Sequence, residues 1–192
     1  PPTLLISAMG QIEDVAQSVT MDLKQAGNLL YQVGTTHDEL GGSHFAMITD
    51  RQGGQVPQVD AAEAKKTFAA LHQAISQGFV RSCHDLSEGG LAVSIAEMAF
   101  AGGLGAQVDL GCVAHDLDTS PAHRVAALLF SESNTRFVCE VAPEFAKQFE
   151  QQMASVSCTS IGEVLEESRL RDVDSGATAD EADIVIEAEL AD

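Results

Sequence analysis

The run His84-Asp85-Leu86-Ser87-Glu88-Gly89-Gly90-Leu91 is the densest concentration of side chains that could do chemistry. A short apolar strand, residues 80–83, precedes it, and a helix is expected to follow over 89–101. Glycine lets a backbone approach a ligand closely, and the first helical N–H groups have no partner inside the helix. Such a helix start favours an anion. Gly89, Gly90 and Ser87 are therefore candidates for holding a phosphate. Asp85 suits a metal ion or a ribose hydroxyl, and His84 suits donation to a phosphate or proton transfer. A structural role fits the same residues: Ser87 caps the helix, Asp85 accepts backbone N–H groups, and the glycines allow close packing.

Two further segments carry related chemistry. Gly41, Gly42 and Ser43 follow Asp38 and Glu39 and are flanked by His37 and His44. They repeat the glycine-turn and helix-start pattern, and equally suit a capped helix after a turn. Two histidines seven apart across a glycine turn fix no metal geometry. The segment from Leu129 to Phe137 sets Ser131, Glu132, Ser133 and Asn134 between an apolar helix end and an apolar strand. Ser131 is a candidate polar contact, and Arg136 is a candidate bidentate donor to phosphate or carboxylate, with local pairing as the alternative. No nucleophile elbow, Walker loop, GxGxxG or HExxH is present. No residue is assigned as catalytic or as a metal ligand.

The elements that must position these residues alternate. Strands are expected over 4–12, 29–33, 80–83, 105–110, 137–141 and 158–164. A short helix opens at 40–43. A longer one runs from an Asp60 cap, with Glu63 as its capping-box partner, to about Gln77, with Ala64, Phe68, Leu71 and Ile75 on one face. Gly78 ends it. Helices are also expected over 89–101, 121–129 and 144–153. Leu91, Ile95, Met98 and Ala99 form the stripe of the first, and Pro121 opens the second. The fold class is α+β (α/β-like): a mixed sheet with helices packed on it. Residues 1–165 form the domain, and 166–192 form a polar, acidic, partly irregular tail in which Ser175-Gly176-Ala177 turns and residues 184–186 add at most one short strand.

Net charge is −19 over 192 residues, and residues 163–192 hold eleven acids against two arginines. That balance argues against DNA, RNA or an anionic membrane as partner, because phosphate backbones attract dense Lys and Arg. Tyr31 is the only tyrosine and Trp is absent, so no aromatic platform for bases exists. No apolar run approaches the ~20 residues that span a bilayer. Cys83, Cys112, Cys139 and Cys158 match no zinc spacing and read as free buried thiols of a reducing cytoplasm.

Several literal strings, in order, carry a family resemblance over residues 3–165. They are Thr20-Met21-Asp22-Leu23-Lys24-Gln25-Ala26-Gly27-Asn28, then Asp38-Glu39-Leu40-Gly41-Gly42-Ser43. The His84 to Leu91 run follows, continuing to Ala96-Glu97-Met98-Ala99, and then Phe130-Ser131-Glu132-Ser133. The chain resembles the C-terminal domain of the phosphoribosylformylglycinamidine synthases, in the superfamily that also holds aminoimidazole ribonucleotide synthetase, selenophosphate synthetase and thiamine-monophosphate kinase. The resemblance implies the C-terminal domain fold of aminoimidazole ribonucleotide synthetase. It also implies an ATP-dependent C–N ligase of purine biosynthesis, which converts formylglycinamide ribonucleotide and glutamine-derived ammonia to the amidine. ATP and magnesium would serve the full-length enzyme, with neither required by this domain alone. The implied partners are the preceding ATP-binding domains, for which Pro1-Pro2-Thr3 resembles the junction, a glutaminase and the ribonucleotide. The nucleotide, magnesium and catalytic histidine positions of such enzymes lie mostly in those preceding domains, so this part alone should lack the chemistry. Two positions depart from the family pattern: Glu88 stands where Asp is usual, and Thr135 where a small residue is common. A non-catalytic interdomain module and a sibling synthetase or kinase are the competing readings.

Overall fold

A computed structural model describes residues 5–175 and 183–189. The strands are β1 (Leu29–Val33), β2 (Val80–Asp85), β3 (Gly105–Asp109), β4 (Phe137–Val141), β5 (Cys158–Leu165), β6 (Arg169–Asp174) and β7 (Asp183–Glu189). The helices are α1 (His44–Ile48), α2 (Ala61–Ser76), α3 (Gly90–Gly102), α4 (Pro121–Phe130) and α5 (Ala146–Gln152). All seven strands form one sheet in the order β2-β4-β1-β5-β3-β6-β7. β3 and β6 run parallel, and every other neighbouring pair is antiparallel. The mixed sheet with packed helices is the α+β arrangement expected.

Strand alternation sends side chains to two cores. Leu30, Val138, Ile161, Val164, Ala106 and Val108 meet Leu91, Ile95 and Met98 of α3 and Leu128 and Leu129 of α4. On the other face Tyr31, Val33, Cys139 and Val141 meet Ala70, Leu71 and Ala74 of α2 and Phe149 of α5. The stripe read for α3 is buried throughout. For α2 it is offset: Ala64 and Leu71 are buried with Thr67, Ala70 and Ala74, whereas Phe68 is 52% exposed and meets Phe137 edge-on. Asp60 caps α2 through Ala62 N–H and Glu63 N–H, and the Glu63 carboxylate turns to Lys66 at 2.6 Å.

Two expectations about the ends need correction. Residues 5–12 form no strand: no strand among the described residues pairs with them, and Leu5, Ile6 and Met9 are exposed. Apolar alternation makes a strand only where a ladder partner exists. The segment after Leu165, read as an acidic tail with at most one strand, contributes two. β6 alternates half-buried Arg169, Arg171 and Val173 with buried Leu170, Asp172 and Asp174, so acids occupy its inward face. A hydrophobicity count reads such a strand as polar tail. Part of the expected turn at 175–177 lies outside the described residues. No helix among the described residues is long and apolar enough to cross a membrane.

The string from Thr20 to Asn28 is held by one buried side chain. Glu140 of β4 accepts from Lys24 N–H at 2.8 Å, Gln25 N–H at 3.0 Å, Asn28 Nδ2 at 2.6 Å and Ser82 Oγ at 3.0 Å. A buried carboxylate survives in a sheet because its lone pairs are met by donors. The loop thereby lies along β2, where Cys83 N–H donates to Thr20 C=O at 3.2 Å and covers the sheet edge.

Candidate functional site

β2 ends at Asp85 and α3 begins at Gly90, so the turn between them leaves the sheet beside the loop joining α4 to β4. A cleft of about 510 Å³ opens there, lined by Asp85, Ser87, Glu88, Glu132, Asn134 and Phe68 among others. His84 stands behind its wall. Its Nε2 meets Glu97 of α3 at 2.8 Å and its Nδ1 faces the Asp85 carboxylate at 3.3 Å. Ser87 Oγ donates to Asp85. That bond, aided by His84, holds the Asp85 carboxyl below its usual range despite partial burial. Asp85 is thus an oriented, ionised acceptor at the mouth of the cleft.

The two glycine turns meet on a residue that the sequence did not single out. Glu132 Oε1 accepts from Gly89 N–H at 2.9 Å and from His44 N–H at 3.0 Å, the starts of α3 and α1. The anion at this helix start is therefore a carboxylate of the chain itself. Gly90 N–H donates to Ser87 C=O at 3.1 Å. Gly90 has φ +64°, and a Cβ there would lie 2.5 Å from Ser131 C=O. Close packing of α3 on the end of α4 accounts for glycine at this position.

The remaining candidates present no free polar group at the opening. Gly41 presses on the backbone of Gly54 and Gln55, where a Cβ would come within 2.6 Å of both carbonyl oxygens. Gly42 turns the chain at φ +75°, and buried Ser43 caps α1 through Ala46 N–H at 3.1 Å. None of these three lines the cleft at Asp85. Ser131 is buried and donates to His37 C=O at 2.8 Å. Arg136 is 1% exposed and its donors are engaged: Nε with Ser133 C=O, Nη1 with Thr36 Oγ1, Nη2 with Ser131 C=O. Burial pulls its pKa down to about 10, while the charges of Glu39 and Glu132 oppose that. It supports the cleft loop from beneath, the local pairing its sequence context left open, and offers no free fork to a ligand. Of the nine candidates, Asp85 and Ser87 are the ones brought to the opening with polar groups outward. The residues missed were Glu132 and Asn134. Glu132 stood inside a quoted string, but a carboxylate's bond to two N–H groups 43 and 88 positions away has no local signature.

Asp85, Glu88 and Glu132 give the cleft a negative wall, and its sole Lys or Arg is the buried Arg136. Such a lining accepts hydrogen bonds from hydroxyl, amide or amine groups. A second cavity of about 400 Å³ shares Asn134 and Thr135 and is walled by Gly34, His37 and the start of α2.

Residues 25–175 match the family described as AIR synthase related protein, C-terminal domain. The phosphoribosylformylglycinamidine synthase subunit PurL of Alkaliphilus metalliredigens is 35% identical over 153 residues, which are 79% of this chain and 20% of that protein. This chain therefore spans about a fifth of that relative's length. Thermotoga maritima PurL complexed with FGAR superposes with a TM-score of 0.75 at 22% identity, covering 91% of this chain and 29% of that one. E. coli HypE, a hydrogenase maturation protein, superposes at 0.61 with 19% identity, over 91% and 52%. The two structural likenesses establish the fold, and the match over 25–175 establishes the membership: the chain belongs to the AIR synthase related protein, C-terminal domain family.

Proposed function

We propose that this chain is the C-terminal domain of a phosphoribosylformylglycinamidine synthase. In the full-length protein, ATP would activate the amide oxygen of formylglycinamide ribonucleotide and ammonia would displace the resulting phosphate. The observation that carries this is the 35% identity to a PurL subunit over 79% of the chain. ATP and magnesium belong in this reading to the preceding domains, in keeping with the acidic cleft. Those domains and a glutaminase are the partners, in a cytoplasmic setting. The cleft between β2, α3 and the 131–137 loop is an accessory wall. Asp85, supported by Ser87, accepts a hydroxyl of the ribonucleotide. A phosphate on Gly89 and Gly90 would require Glu132 to swing away first, so the hydroxyl contact is the favoured one.

Two measurements test this. The purified 192-residue chain, given ribonucleotide, ATP and ammonia, is expected to form no amidine; turnover by it would overturn the domain reading. In the full-length enzyme, Asp85→Asn is expected to raise KM for the ribonucleotide about tenfold, roughly the 1.4 kcal/mol of one charge-assisted hydrogen bond, with KM for ATP unchanged. An unchanged ribonucleotide KM would remove Asp85 from the site. A second reading, an interdomain packing module without ligand, draws on the carbonyl contacts that fill the space at Gly90 and Gly41. It predicts that the Asp85 substitution alters stability or subdomain docking and neither KM.

A further inference from the structure

The four cysteines lie far apart in sequence, yet the sheet brings two of them together. Cys83 of edge strand β2 and Cys139 of β4 are directly opposed in the antiparallel register. Cys139 donates its S–H toward Cys83 Sγ at 3.8 Å. Directly opposed residues hold their Cβ atoms about 4.5–5.5 Å apart, close to the span a disulfide needs. β2 has one strand neighbour, with the Thr20 C=O rather than a strand on its other side, and a register irregularity between Val80 and Ser82, so its backbone is held by fewer ladder bonds than a central strand. Cys112 is exposed on the turn after β3, and Cys158 lies on β5, with β1 between it and β4.

We propose that Cys83 and Cys139 form a redox pair, which a low-molecular-weight disulfide converts to a cross-strand protein disulfide. The half-buried Cys83 thiolate attacks one sulfur of the reagent and expels one thiolate, leaving a mixed disulfide. Cys139 then loses its proton and attacks Cys83 Sγ, expelling the second thiolate. Two protein thiols are oxidised, the reagent's disulfide is reduced to two thiols, and the two protons go with them. The order of attack follows from access. Cys139 is fully buried, and the Cys83 contact together with burial pushes its thiol well above the ordinary range, so Cys83 reacts first. The cross-link ties β2 to β4 one residue before His84 and two before Asp85, at the wall of the cleft.

The test uses the folded 192-residue chain carrying Cys112→Ser, incubated with oxidised glutathione, alkylated after unfolding and mapped without reduction. The expected result is a peptide pair linked through Cys83 and Cys139, with Cys158 alkylated, and full reversal by dithiothreitol. In a Cys139→Ser variant, Cys83 should accumulate as the glutathione mixed disulfide; in Cys83→Ser, Cys139 should stay reduced. A Cys83 mixed disulfide that persists while Cys139 remains alkylatable would overturn the proposal. So would a Cys139–Cys158 link, or a Cys83 that does not react. The mapping of the chain with both cysteines stands whether or not either variant folds.

Discussion

Thr135 adopts φ +61°, the left-handed region, at the residue before buried Arg136. A β-branched side chain is strained there, at a cost of roughly 1–2 kcal/mol. Thr135→Gly is expected to raise the unfolding free energy by about 0.5–1 kcal/mol, the relief of strain less the added unfolded-state entropy of glycine. Chemical denaturation checks it, and Thr135→Ala, which keeps a Cβ, should gain less. At this scale the sequence was legible in part. The type and spacing of Asp85 and Ser87 announced a polar turn before a helix, and the turn is there. Arg136 read equally well as a ligand donor or a local partner, because a guanidinium's surroundings are set by Thr36 and Ser131 in space, not by its neighbours in the chain.

Among the elements, α1 is too short to stand alone. It is fastened by Phe45 stacking on Phe130 at 4.9 Å and by Glu132 at its first N–H. The same carboxylate oxygen fastens α3, so Glu132→Ala should loosen both helix starts together. The expected outcome is a loss of about 0.5–2 kcal/mol in stability, the usual cost of removing the acceptor at a helix start, with faster hydrogen exchange at the Gly89 and His44 amides. Exchange that quickens at one and not the other would mean that the shared oxygen does not couple them. The boundaries of β1, α2, α3 and α4 were readable from apolar period, an Asp60 cap and Pro121. Residues 5–12 misled because strand propensity says nothing about the presence of a partner.

For the whole molecule, charge is the distinctive property, and part of it is buried. Asp172 of β6 faces inward beside Asp174, which binds Arg124 at 2.5 Å. Burial raises the Asp172 pKa from 3.8 to about 6. An acid that holds its proton more tightly when folded favours the fold most below its unfolded value and works against it as pH rises through the folded one. The contribution of Asp172 to stability should therefore fall by on the order of 3 kcal/mol between pH 4 and pH 7. Asp172→Asn is expected to be more stable than the parent at pH 7 and nearly equal to it at pH 4, as read from denaturant midpoints at the two pH values. A difference that does not vary with pH would mean that Asp172 does not titrate in this window.

β6 also decides where the domain can be cut. It lies parallel to β3 and carries β7 on its far side, so it is what turns β3 from a rim into an interior strand. A chain trimmed after Leu165 would leave Gly105–Asp109 with bare N–H and C=O groups along a row of buried Ala106 and Val108. Such a row is a template for any other extended chain, including its own copies. The acidic segment that looks dispensable on composition is thus a shield against self-association, and its carboxylates would repel a second copy approaching the completed sheet.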